Sequence, residues 1–216
     1  MATAPHTPRT ILRYHPAERL VHWFGATSVL LLLFSGLALL WSPLGFLAAG
    51  GWSRLAHQIG AVLFLLAPAL YAALNRQGLR RLLAEPFKYD RDDLEWLKHV
   101  AGYAFGHARG MPPQGRINAG QKLHHAGTFV SFVAVAISGL LLWFAKGYLN
   151  GSGVALVAMI HDLSMLLLTV LLIGHVYFTF VYGALPAMVT GYVSEEYARM
   201  EHAKWLESLS ITNREE

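Results

Sequence analysis

A single apolar stretch, 154–182, carries two histidines, His161 and His175, fourteen residues apart. At 3.6 residues per turn that is close to four turns, so both rings leave nearly the same helix face, about 21 Å apart along the axis. An ionisable ring inside a bilayer is costly unless it meets a partner, so its presence there marks function by default. Two imidazoles on one face, one nearer each membrane surface, point to two stacked cofactors rather than to one metal ion.

Composition places this stretch in a membrane. Of 216 residues, 55% are hydrophobic and 14% charged, against about 25% charged in a soluble domain. There is no cysteine, which excludes disulfides, thiolate zinc sites, cysteine-held iron–sulfur clusters and covalently attached haem. The eleven histidines, with methionine, are what remains to ligate a metal. Mixed or polar residues fill the chain up to Arg19, and the first apolar run exceeds the roughly 7–15 residues of a signal peptide, so it is expected to stay as an anchor.

Four runs reach the roughly 20 residues needed to cross a bilayer: 20–41, 55–74, 123–145 and 154–182. They predict an all-α fold, a four-helix transmembrane bundle forming one membrane domain over 1–216. Pro16 suits the first turn of the first helix, and Pro68 is expected to kink the second. Arg76, Arg80, Arg81, Lys88, Arg91, Lys98, Arg109 and Arg116 lie between the second and third runs. Arg9, Arg13 and Arg19 precede the first run, and Arg199, Lys204 and Arg214 follow the last. The two opposite loops carry only Arg54 and Lys146. The positive-inside rule therefore puts both termini and the long loop in the cytoplasm. Within that loop, 90–106 reads as an amphipathic helix capped by Asp92, with Leu94, Leu97, Val100 and Ala101 as its apolar stripe, lying on the membrane, on a partner or on its own protein. The segment 110–115 reads as a turn, and no internal repeat stands out.

Depth sorts the histidines. His22 starts the first helix on the cytoplasmic side, level with His175; His57 starts the second on the opposite side, level with His161. Two bis-histidine pairs result, the arrangement that an iron porphyrin needs inside a helical bundle. Gly25 and Gly60, three residues after His22 and His57, either leave room for a flat macrocycle or serve as helix contacts. His124 and His125 compete with His22 as ligands, or serve a propionate or a proton path. His6, His15, His99, His107 and His202 fall outside the spans and are expected to be solvated. Histidine-rich di-iron boxes are absent from the spans, and Asp162 is their one acid, facing a partner subunit or water. A non-haem membrane anchor is the alternative of a different class.

The chain resembles the gamma-subunit family of respiratory formate dehydrogenases, four-helix di-haem cytochromes b. The resemblance spans nearly the whole chain. It rests on E-R-L-V-H-W around His22, R-L-A-H-Q-I-G around His57, N-A-G-Q-K at 118–122, I-H at 160–161, G-H-V-Y-F-T-F-V from Gly174, and the tail G-Y-V-S-E-E-Y-A-R-M-E-H-A-K-W. The N-A-G-Q-K segment discriminates best. The di-haem cytochromes of hydrogenases and thiosulfate reductases share the histidine pattern, and they form the nearest alternative. The H-H pair at 124–125 departs from relatives, which are mostly apolar there.

The resemblance implies a bacterial inner-membrane subunit with two b haems. His57 and His161 would hold the haem nearer the periplasm, His22 and His175 the one nearer the cytoplasm. A quinone (menaquinone or ubiquinone) would bind beside the second haem, near Asn118, Gly120, Gln121 and His175, with Lys122 assisting proton entry or a propionate. Asn118 also reads as an ordinary helix cap. The implied partners are an iron–sulfur beta subunit and, through it, a molybdenum or tungsten alpha subunit that oxidises formate, with room for an oligomer of the complex. Electrons would move inward and reduce quinone on the cytoplasmic side.

Overall fold

The computed structural model describes residues 9–215; His6 lies outside them. Among the described residues, four helices are long and apolar enough to cross a membrane: Pro16–Leu40, Ser42–Leu74, Ala119–Tyr148 and Gly151–Val181. The first begins at Pro16, where proline's missing N–H costs nothing. The second is continuous α-helix from Trp52 to Leu74 and runs through Pro68 without a break. Gly50 and Gly51, at φ +73° and +79°, turn the chain into it in a conformation that side chains resist. The third passes through a π-helical turn, Leu141–Ala145, into a closing 3-10 turn, Lys146–Tyr148. Leu30, Phe34, Leu66, Leu163, Leu166 and Ile173 stand exposed on the outer faces, as lipid contact requires.

The chain forms two compact units. The first, here the bundle unit, comprises 17–81 and 127–174 and holds most of all four spans. Its interior is lined by small residues: Ser28, Ser35, Ala38, Ser131 and Ser138 are buried. Small side chains let helices approach closely where lipid supplies no hydrophobic drive. Gly60 packs against Leu31 and Leu32, and Gly127 against Leu171; Phe64 meets Phe132 at 4.6 Å between ring centroids.

The second, the terminal unit, comprises the described residues of 9–16 with 82–126 and 175–215. A two-stranded antiparallel sheet joins β1 (Thr10–Leu12) to β2 (Tyr192–Ser194), tying the N-terminal segment to the tail. Arg13 is buried, sits 4.5 Å over the Trp205 ring, and donates to the Arg116 carbonyl and to His202 Nε2 at 3.3 Å. His202 donates from Nδ1 to the Gly115 carbonyl at 2.9 Å. The N-terminal segment, the long loop and the tail thus meet in one body.

The loop helix differs from its expected form. It is two helices, Arg91–Lys98 and Val100–Ala104. Asp90, not Asp92, caps the first, in a reciprocal capping box with Asp93. The buried face is Asp93, Trp96 and Tyr103, while Leu94, Val100 and Ala101 are exposed. Trp96 and Tyr103 pack on Ala108 and Ala119, with Phe178 and Tyr182 alongside. Two aromatic rings bury more apolar area than the aliphatic stripe, and they set the helix's rotation.

His202 also departs from expectation: it is 1% exposed rather than solvated. Burial, reinforced by the adjacent Arg13 charge, pushes its pKa down to about 3. The unfolded chain takes up a proton here below about 6.5 and the folded chain does not, so stability is present above that pH and drains away as pH falls towards 3. Amide exchange protection of β1 and β2 should fall across this window. In His202→Gln that fall should be absent, on top of an overall loss of about 1–3 kcal/mol from the broken buried hydrogen bonds.

Candidate functional site

The bundle unit brings His57 and His161 together, with ring centroids 6.3 Å apart. Both rings are half-buried. An iron held midway between two imidazoles needs roughly 6 Å, made of about 2 Å per metal–nitrogen bond and about 1 Å from each nitrogen to its ring centre. That separation is the one that the two rings of a bis-histidine haem would need. Each ring is held the same way: Ser35 Oγ lies 3.1 Å from His57 Nδ1, and Ser138 Oγ lies 3.1 Å from His161 Nδ1. Next to each serine is a glycine that the ring covers. A Cβ at Gly36 would come 3.2 Å from His57 Cε1, and one at Gly139 would come 3.1 Å from His161 Cε1.

These serines and glycines form a signal that pattern reading missed. S-G-L occurs at 35–37 and again at 138–140, thirteen residues after His22 and His125. His57 follows Ser35 by twenty-two residues and His161 follows Ser138 by twenty-three. The first helical pair is thus repeated in the second, with like contacts in each. The glycines expected to flank a macrocycle divide: Gly25 faces open space, whereas Gly60 is a helix contact against Leu32.

The remaining candidates are distributed between the two units. His22 belongs to the bundle unit, edge-on to Trp23 at 5.2 Å. His175 belongs to the terminal unit, where the His124 ring stacks on it at 5.5 Å and His125 lies beside His124 at 5.8 Å. His125 Nδ1 is buried and has no hydrogen-bond partner among the described residues. Asp162 is exposed on the fourth span.

The N-A-G-Q-K segment starts the third span. Asn118 and Gln121 cap it reciprocally: Gln121 N donates to Asn118 Oδ1 at 2.8 Å, and Asn118 N donates to Gln121 Oε1 at 3.0 Å. Gly120 lies flat against Trp96, where a Cβ would come within 2.7 Å of the indole. Lys122 pairs with the buried Asp93 at 2.5 Å. Asn118, 2% exposed, donates from Nδ2 to the Tyr103 hydroxyl, which in turn donates to Glu201 Oε2 at 2.9 Å. Burial raises the Glu201 pKa above the usual carboxylate range. It raises Tyr103 as well, helped by the Glu201 charge. Burial and the same charge push Tyr182 up to about 12. The phenols therefore stay protonated at neutral pH. Gln121 is half-buried, and its side-chain amide nitrogen is a donor with no partner among the described residues.

The family model of prokaryotic cytochrome b561 matches residues 13–191. The chain belongs to that family. As a cytochrome b561-type chain it is also similar, at 26% identity, to the formate dehydrogenase cytochrome b556(fdo) subunit of Escherichia coli K12, over 94% of this chain and 95% of that one. The nitrate-inducible formate dehydrogenase cytochrome b556(Fdn) subunit of the same organism is 24% identical over 91% and 90%. The formate dehydrogenase cytochrome b556 subunit of Haemophilus influenzae is 22% identical over 95% and 86%. The four-helix membrane architecture is the one expected of a cytochrome b561 chain, and b-type haem is the cofactor that family membership implies.

Proposed function

We propose that this chain is the membrane cytochrome b subunit of a formate dehydrogenase complex, working as a single membrane domain. It takes electrons from an iron–sulfur subunit and delivers them to quinone on the cytoplasmic side of a bacterial inner membrane. The observation that carries the reading is the His57–His161 pair, 6.3 Å apart and each braced by a serine, in a chain similar over 94–95% of its length to formate dehydrogenase cytochrome subunits. Bound there, haem supplies one-electron transfer through a low-dielectric interior. His22 and His175 hold the second haem, a pairing that rests on their equal depth in the sequence and on the motifs around them.

The quinone end lies with the N-A-G-Q-K segment and His175. The Gln121 amide nitrogen donates to a quinone carbonyl. The Tyr103 hydroxyl, hydrogen-bonded to Glu201 and to Asn118, holds a proton next to the reducible ring. Lys122 stays paired with Asp93 and keeps the helix start in place. The shared body formed by the N-terminal segment, the long loop and the tail supports a common side for both termini, and their basic residues favour the cytoplasm. The exposed Asp162 then serves as a polar contact for a partner's membrane helix, since a carboxylate facing lipid alone is costly.

Purification of the tagged chain from its native membranes tests this reading. An iron–sulfur subunit and a molybdenum or tungsten subunit should co-purify, and formate should reduce the b-type absorption bands. Bands reduced by hydrogen but not by formate would assign the chain to a hydrogenase. Absence of b-type bands would leave only a membrane anchor.

A further inference from the structure

Ser35 and Ser138 are buried, at 6% and 3% exposure, inside an apolar bundle. Each hydroxyl has one hydrogen, and its direction is set by its own helix: Ser35 Oγ donates to the Leu31 carbonyl at 2.6 Å and Ser138 Oγ to the Ala134 carbonyl at 2.7 Å. With that hydrogen committed, the oxygen can only accept from the imidazole 3.1 Å away. Nδ1 of both His57 and His161 therefore carries the proton, with the Leu32 and Val135 backbone carbonyls as further acceptors beside the serines, and the lone pair is left on Nε2. The two sites reach this state independently, on different helix pairs, through the same S-G sequence. A polar group buried in a membrane interior is retained against a cost, and here its one partner outside its own helix is the ligand ring.

We infer that Ser35 and Ser138 are positioning residues for the haem held by His57 and His161: each fixes its histidine as the Nδ1-protonated tautomer and presents Nε2 to the iron. The inference rests on the haem assignment proposed above. A hydrogen bond from Nδ1–H to an acceptor raises the basicity of Nε2 and favours ferric iron. The adjacent Gly36 and Gly139 let the rings lie against the helix backbone within reach of the hydroxyls.

The test uses the complete haem-loaded chain in detergent or membranes, as parent, Ser35→Ala, Ser138→Ala and the double variant. Redox titration and electron paramagnetic resonance are recorded for both haems, together with haem content. The midpoint potential of the His57–His161 haem should rise in each single variant and rise further in the double. Its g-values should shift as the freed ring rotates, and its affinity for the chain should fall by about 10- to 100-fold. The other haem should keep its potential and its g-values. Ser35→Thr and Ser138→Thr, which retain the hydroxyl, should restore the parent values. Unchanged potentials and g-values in both alanine variants would overturn the inference, and so would equal shifts in both haems, which signal only a loosened bundle. If the parent holds no haem that His57→Ala removes, the fault lies with the haem assignment itself.

Discussion

His161→Ala should leave one haem per chain instead of two. The imidazole is one of the two rings that the bundle unit sets 6.3 Å apart, and among the described residues no third histidine joins that pair. Pyridine haemochrome content per mole of chain should halve, and one of two midpoint potentials should vanish. His57→Ala should give the same phenotype, because a bis-histidine site fails when either axial ligand is lost. Formate-driven quinone reduction should drop to background in both variants, since the entry point for electrons is gone. The reduction of the remaining haem by dithionite should persist, which separates loss of one site from loss of the fold.

His175→Ala should remove the other haem and abolish quinone reduction, while the haem bound by His57 and His161 still accepts electrons from formate. The dissociation of the two effects is the point of this variant: reduction of one haem without turnover places His175 on the exit side. His22→Ala should match it. The stacked His124 and the adjacent His125 provide the alternative. Should His125→Ala or His124→Ala, rather than His22→Ala, cost the second haem, the ligand opposite His175 is the histidine that was removed. Gln121→Leu removes a donor without touching a haem ligand, so it should slow quinone reduction at a normal haem count.

The spans were legible because hydrophobicity over twenty residues is a local property, and the approach of the His57 and His161 rings was legible because depth can be counted along a helix. Ser35 and Ser138 were not, because a serine in an apolar helix reads equally as a small contact residue. Their meaning appears only when the S-G repeat is set beside the two histidine spacings. The loop helix was misjudged in its cap and its face. Asp90, Asp92 and Asp93 are all plausible caps, and the choice falls on Asp90 because Asp93 then stands at the reciprocal position. Its inward face is decided by Phe178 and Tyr182, more than seventy residues away in sequence. His202 lay hidden among polar neighbours; its burial comes from Arg13 and Gly115, remote in the chain. The N-A-G-Q-K segment was read both as a helix start and as a ligand site. The structure shows its helix-start duties in full, with the Gln121 amide nitrogen left without a partner among the described residues.

Haem content per chain, measured on the purified protein together with a reductive titration, bears most directly on the two-site arrangement. Two b-type haems per chain with two separable midpoint potentials are expected, one lost with His57 or His161 and the other with His175. A single haem, or two that survive removal of His161, would contradict that arrangement.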